Sequence, residues 1–383
     1  MALTGIIAEF DPFHGGHAHL IAEAKRAVPG AGIACVMSGG FTQRGAPACG
    51  DRIARARAAV ENGADIVFEL PVAHALSPAP LFARGGVAHL AATGLLTHLA
   101  FGSECGDIGA LRSAAGADAS PDFSRRVKAL TSSGLTYAAA AAQASGSAVL
   151  ENPNDVLAVE YIRAMNSICP GVEPVAVKRI GAAHGSSAAD VLPSASYIRT
   201  LARQGASPED LPLPQNVREI LSAEAALGRF PLDPSRLDAA VLGVICRMSR
   251  EELALVPEGG EGLGGRIWEF ASEARSVEEL CAKAKSRNFT LARVRRCVWQ
   301  AFLGITREDQ LAPPRYLRVL AVGKGGRELL RQMEATAKVP VVTKPAVINS
   351  DPLAQLEARA ENLRSIALDA RENYFAKSPY VVK

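Results

Sequence analysis

Two histidines stand three residues apart in Asp11-Pro12-Phe13-His14-Gly15-Gly16-His17. The run follows the apolar segment Gly5–Phe10 (GIIAEF) and leads into a helical pattern over Gly16–Ala27. Imidazoles at a strand-to-helix turn can donate hydrogen bonds to phosphate oxygens, and the glycines let a ligand approach the backbone. The first turn of the helix adds unpaired N–H groups and the positive end of its dipole. Such fixed donors suit the charge that builds when a triphosphate is split between its α and β phosphorus atoms. A metal centre fits less well, since no cysteine or carboxylate joins the two nitrogens at ligand spacing, and none is expected. A second set, Ser194-Ala195-Ser196-Tyr197-Ile198-Arg199, follows Pro193. Ser194 or Ser196 can cap the helix that begins there. The same hydroxyls, the helix start and Arg199 can also face phosphates.

The elements that must carry these residues alternate. Strands are predicted at Gly5–Phe10, Gly32–Ser38, Asp65–Leu70, Leu99–Gly102 and Glu173–Lys178. Helices are predicted at Gly16–Ala27, from an Asp51 cap to Asn62, and over 156–168. Strands separated by helices predict an α/β domain with a Rossmann-like, doubly wound parallel sheet, whose ligands bind beyond the carboxyl ends of the strands. The alanine-rich stretch 138–148 is read as a surface helix. Near Gln204–Gln215 the sequence turns rich in proline and acid, and beyond it the patterns are mainly helical. The expected division is 1–203 and 204–383, the second domain mainly α-helical.

Composition sets the outer bounds. The 383 residues are 48% hydrophobic and 21% charged, which fits packed domains and excludes a disordered chain. No apolar run reaches the ~18–20 residues of a membrane span, and the N-terminus MALTGIIAEF lacks a secretory pattern. A cytoplasmic protein without a membrane partner is expected. Seven scattered cysteines, none in a CxxC pair, predict reduced thiols. A net charge of +3 leaves a nucleic-acid partner to be argued from local clusters. One such cluster is Lys283, Lys285, Arg287, Arg293, Arg295 and Arg296. Thr290 can cap a helix through Phe302 there, with Leu291, Val294 and Val298 on a core stripe. Basic side chains on its other faces suit phosphate contacts or, alternatively, a solvated surface. Arg315, Arg318, Lys324, Arg327 and Arg331 can extend the patch, and Phe289 or Tyr316 can stack on a base.

His-x-Gly-His after the first strand, with a late Ser-x-Ser-x-Ile-Arg, resembles the HIGH-type nucleotidyltransferase superfamily. Longer segments are similar to one branch of it: EFDPFHGGHAHL, SGGFTQRGAPA, DRIARARAAVENGADIVFELP, FGSE, NPNDVLAVEYIRAM, VKRIGAAH and SASYIR, then KSRNFTLARVRRCVWQAFLGI and PPRYLRVLAVGKGGRELL. Together they resemble the bacterial tRNA(Met) cytidine acetate ligase family over most of the chain. Four positions depart from its usual pattern: Asp11, Gly40 and Asp155 stand where Asn is common, and Gly15 where HNGH is common.

The resemblance implies acetate activation by ATP through acetyl-AMP, then N4-acetylation of the wobble cytidine of elongator tRNA(Met), with Mg²⁺ accompanying the triphosphate. It places ATP against Ile7, Ala8, Glu9, Phe10, Asp11, Pro12, Phe13, His14, Gly15, Gly16, His17, Ala18, His19 and Leu20. Gly102, Asn154, Arg179, Ser194 and Ser196 join them, and Asn154 can also be a simple helix cap. Catalytic roles fall to His14, His17, Lys178, Arg179 and Arg199. Gln43 and Arg44, in a glycine-flanked loop, would border the meeting point of acetate and cytidine. The basic cluster of the second domain would hold the tRNA. A small-molecule adenylyltransferase or a non-catalytic ATP- and RNA-binding homologue are the alternatives. The oligomeric state is left open.

Overall fold

The computed structural model describes residues 2–117, 125–127, 129–130, 140, 143–144, 148–179, 193–371 and 373–382. The expected helix at 138–148 falls mostly outside these residues, as does the part of VKRIGAAH beyond Arg179. The five predicted strands are present as β1 (Leu3–Ala8), β2 (Gly32–Ser38), β5 (Ile66–Leu70), β6 (Leu96–Ser103) and β7 (Glu173–Lys178). A small hairpin, β3 (Phe41–Thr42) and β4 (Ala46–Pro47), follows β2. β1, β2 and β5 pair in parallel on one side, and β6 and β7 continue in parallel on the other. The chain therefore winds outward from β1 in both directions. Its switch point lies between β1 and β6, where doubly wound sheets open a crevice.

β2 is buried along its whole length, as its uninterrupted GIACVMS run requires of a central parallel strand. Helices α1 (Gly15–Ala27) and α2 (Arg52–Glu61) contribute to the core on one face, around Ile6, Cys35 and Val67. On the other face, α3 (Val72–Ala75) leads into α4 (Ala79–Ala91). There α4, α5 (Ile108–Ala117) and α6 (Pro153–Ile168) pack around Ile7, Val36 and Phe68. Asp51 caps α2, accepting from Ile53 and Ala54 N–H. α6 begins earlier than predicted: Asn152 is its N-cap position and Asn154 lies inside its first turn, so Asn154 is not the cap.

Beyond α7 (Ala195–Arg203) come α8 (Gln215–Ala226), α9 (Asp238–Arg247), α10 (Arg250–Leu255), α11 (Leu263–Ala271), α12 (Val277–Ala284), α13 (Leu291–Leu303) and α14 (Arg307–Leu311). This region is helical, as the sequence predicts. The chain then returns to the sheet. β8 (Leu317–Val322) lies antiparallel beside β5, and the short β9 (Val341–Val342) and β10 (Tyr380–Val381) pair with β8. α15 (Gly326–Thr336) and α16 (Pro352–Arg364) complete the order. Arg318, expected to extend the basic patch, lies on β8, which is fully buried. Arg318 therefore cannot extend a basic surface. A buried position inside the sheet, flanked by β5 and β9, captured it, and a carboxylate was waiting there.

That carboxylate is Glu69 of β5. It meets Arg318 at 3.2 Å and Arg52 of α2 at 3.5 Å, and it accepts from the Tyr374 hydroxyl at 2.7 Å. Arg52 also pairs with Glu361 at 2.8 Å, and Glu361 with Arg364 at 2.9 Å. The Tyr374 ring lies beneath both Arg318 and Arg52. Every member is almost fully buried. The network joins the first half of the chain to its last quarter, and no charge in it can be removed alone without stranding another. Glu69→Ala is expected to lower stability by about 3–5 kcal/mol in urea unfolding. A loss below about 1 kcal/mol would show that Arg52 and Arg318 find other partners.

Candidate active site

A cleft of about 600 Å³ opens at the switch point. The turn after β1 forms its floor. His14 is the N-cap of α1, and its Nδ1 accepts Gly16 N–H at 3.0 Å. His17, three residues on, returns the bond: its Nδ1 accepts His14 N–H at 3.2 Å. This is a capping box built from imidazoles. The two rings stack with centroids 3.8 Å apart. A neutral ring whose Nδ1 accepts must carry its proton on Nε2, so each histidine keeps an N–H to donate.

Electrostatics keep the pair neutral. Burial, then the Arg179 and Arg199 guanidiniums, push His14 down to about 4. Burial pushes His17 well below the usual histidine value, helped by His14 and Arg179. Phe10 and Phe13 are buried beneath His17, with centroids 4.9 and 5.6 Å from its ring. Phe10 takes a positive φ of 48°, a strained conformation for a bulky residue that turns the chain out of β1.

Not every residue of the 7–20 run reaches the cleft. Ile7, Ala8, Glu9, His14, Gly16, His17, His19 and Leu20 line it. Phe10, Asp11, Pro12, Phe13, Gly15 and Ala18 do not, because the turn folds them into the core or behind the histidines. Asp11 faces inward: its Oδ1 accepts Cys49 N–H at 2.8 Å and Arg199 sits 3.6 Å from Oδ2. Its negative charge is thus already met from inside the protein. Arg199 also donates to the Asp11 carbonyl. Arg199, Ser194, which caps α7, and the exposed Ser196 do not line the cleft. Pro193 is the member of that segment at the cleft.

Opposite, Gly102 at the end of β6 and Lys178 and Arg179 at the end of β7 line the rim. Arg179 N–H is held by the Ser103 carbonyl at 3.0 Å. Asn154 lines the cleft and donates to Glu104. Its neighbour Asp155 is fully buried and gathers the 103–105 turn, accepting Glu104 N–H at 3.0 Å and Cys105 N–H at 3.1 Å. An acceptor-only carboxylate suits a turn that offers mostly donors.

Gln43 and Arg44 form the tip of the β3–β4 hairpin and line the cleft. The tip is pinned on both sides. Gln43 N–H donates to Glu9 Oε1 at 2.6 Å, and the Gln43 carbonyl accepts from Arg296 of α13 at 3.3 Å. Gly45 has φ +79°, and a Cβ there would lie 2.6 Å from Arg295 Cβ. Gly40 is crowded in the same way, since a Cβ would lie 2.7 Å from Glu361 Oε2. The second half of the chain closes this side of the cleft with Thr290, Ala292 and Arg296.

The basic cluster is mostly paired. Arg296 chelates Glu258 at 2.6 and 3.1 Å. Arg293 meets Glu261 at 2.8 Å, Arg295 meets Glu278 at 2.5 Å, and Lys283 meets Glu279 at 3.2 Å. Lys285 and Arg287 are exposed and have no ion pair among the described residues. Phe289 and Tyr316 are buried, which removes them as stacking surfaces. Sequence reasoning missed Tyr161, a buried ring in the cleft wall, and Arg55. Arg55 is buried and donates to the carbonyls of Glu9 at 2.6 Å and Ser38 at 3.1 Å, tying the ends of β1 and β2 together. Its only sequence signal was its place on a helix beside the sheet.

A family model described as HIGH Nucleotidyl Transferase matches residues 1–378, and the chain belongs to that family. Its relatives narrow the class. A tRNA(Met) cytidine acetate ligase of Fervidobacterium nodosum is 34% identical over 90% of this chain and 84% of that protein. One from Alkaliphilus metalliredigens is 31% identical over 100% and 99%. Crystal structures of Thermotoga maritima TmcAL, apo and bound with alpha-thio ATP, match with TM-scores of 0.92 and 0.89 at 29% identity, covering 100% of both chains. Within the nucleotidyl transferases, the chain is thus a member of the tRNA(Met) cytidine acetate ligase family.

The histidine pair generates a pH prediction. The unfolded chain protonates histidine near 6.5, and folded His14 only near 4. Between these values the unfolded state binds more protons, so stability falls as pH drops through that window. Nitrogen NMR is expected to show both rings as neutral Nε2–H tautomers at neutral pH. A ring of either residue titrating near 6.5 would contradict the capping geometry.

Proposed function

We propose that the chain is an ATP-dependent tRNA(Met) cytidine acetate ligase working in the cytoplasm. The observation that carries this reading is the pair of neutral, backbone-locked imidazoles at the head of α1, opening into a cleft that both halves of the chain enclose. Acetate attacks the α-phosphorus of ATP, giving acetyl-AMP and pyrophosphate. The N4 amine of the wobble cytidine of elongator tRNA(Met) then attacks the acetyl carbon, and AMP leaves.

In this reading residues 1–203 bind ATP and residues 204–383 bind tRNA. His14 and His17 donate Nε2–H to the phosphates, in fixed positions that need no reorganisation as charge develops. Lys178 and Arg179 bring positive charge from the opposite rim. Arg199 acts from behind, by holding Asp11 and the turn that carries the histidines. Gly102 and Asn154 border the nucleoside, and Gln43 and Arg44 border the acetyl group. Among the described residues no cluster of His, Cys, Asp or Glu could hold a metal ion. In this reading Mg²⁺ enters as part of the substrate, on the triphosphate and its own waters. No helix among the described residues is long and apolar enough to cross a membrane. Lys285 and Arg287 lead the contacts to tRNA phosphates, whereas Arg296 serves the hairpin.

Incubation with ATP, isotope-labelled acetate and tRNA is expected to yield labelled N4-acetylcytidine by nucleoside mass spectrometry; its absence would refute the assignment. His14→Ala or His17→Ala is expected to slow acetate-dependent ATP–pyrophosphate exchange about 10²–10³-fold. Exchange at the native rate would remove the phosphate role. Replacing Lys285 and Arg287 by Ala is expected to weaken tRNA binding and to reduce its salt dependence by roughly one to two counterions. Equal affinity at every salt concentration would exclude that surface.

A further inference from the structure

This inference rests on the ligase reading and concerns the proton that must leave the cytosine amine. Acetyl transfer forms the N4–C bond, breaks the acyl C–O bond to AMP and releases one proton from N4. The N4 lone pair is drawn into the ring, so attack needs a base that takes this proton as the bond forms.

The cleft offers few acceptors. His14 and His17 have committed Nδ1 to backbone N–H groups and hold protons on Nε2. His19 faces Glu23, 3.8 Å away. Lys178, Arg44, Arg179 and Arg296 are cations. Of the carboxylates lining the cleft, Glu151 is exposed in a turn before α6. Glu9 is different. It follows β1 at the switch point, and its Oε1 is fixed by Gln43 N–H at 2.6 Å. This is the only hydrogen bond its carboxylate receives among the described residues, so Oε2 is left for a substrate. The same bond sets Glu9 beside the hairpin tip assigned to the acetyl group.

We propose that Glu9 is the general base of the transfer step. Its carboxylate takes the N4 proton while the N4 electron pair bonds to the acetyl carbon. The acyl C–O electron pair leaves with the phosphate of AMP, and Glu9 later returns its proton to water. Burial raises the Glu9 carboxyl above the ordinary value; the Gln43 bond opposes this, Asp11 adds to it, and Arg199 and Arg44 oppose it. Tyr161 on α6 and the neutral histidines are the other titratable groups of this wall, and Arg55 on α2 holds the Glu9 carbonyl. A raised carboxyl is the stronger base near neutral pH.

The test supplies preformed acetyl-adenylate and tRNA and follows one turnover of N4-acetylation across weakly acidic to weakly alkaline pH. The native rate is expected to rise with pH through a single ionisation. Glu9→Gln keeps the acceptor for Gln43 N–H, and is expected to run about 10²–10⁴-fold slower with a flat profile. Glu9→Asp, checked with the others by thermal unfolding, is expected to be slower but still to titrate. A native profile without that ionisation, or equal rates and profiles in native protein and Glu9→Gln, would overturn the assignment and leave the AMP phosphate as acceptor. Failure of the native protein to transfer acetyl at all would overturn the ligase reading itself.

Discussion

A histidine nitrogen that accepts a backbone N–H cannot also hold a proton, and the site depends on this constraint. His14 and His17 each spend Nδ1 on the first turn of α1. One arrangement therefore caps a helix, fixes two tautomers and aims two donors. Burial, with Arg179 beside both rings, disfavours a second proton on either, so in the proposed role the pair would polarise a phosphate without competing for a proton. The rest of the first half serves the turn: Arg55 ties its backbone to β2, and Arg199 anchors Asp11.

The second constraint is the buried ionic seam around Glu69. It is an expensive way to hold a sheet, because each charge loses its water. Its effect is to fix β8 and α16 in one register against β5 and α2. That fixes the hairpin as well, since Gly40 packs on Glu361 and Arg364 donates to the carbonyls of Ala48 and Gly50. Gln43 is thereby delivered between Glu9 and Arg296. The floor of the cleft and the helices beyond residue 203 are coupled through this hairpin.

Much of this was legible from residue patterns. The five parallel strands β1, β2, β5, β6 and β7, the Asp51 and Thr290 caps and the histidine turn follow from local periodicity and capping chemistry, which short segments carry in themselves. Errors came where a distant partner decided the outcome. Five apolar residues around one arginine gave no sign that β8 would be buried beside Glu69. The arginines of α13 read as a basic face because the acids that pair them, Glu258, Glu261 and Glu278, lie on other segments. Asp11 looked like a charge facing phosphate, and it faces Cys49 and Arg199 instead.

By itself, then, the sequence determined which groups exist and where short-range order puts them: a strand, a tight turn, two imidazoles three residues apart and the start of a helix. These depend on neighbours within a few positions, which the linear chain specifies. Tertiary structure decided which charges are spent on one another and which remain to meet a substrate. It set Glu9 against Gln43, buried Arg318 and left Lys285 and Arg287 exposed, because pairing in a folded chain is settled by proximity across tens to hundreds of residues, and no local pattern records it.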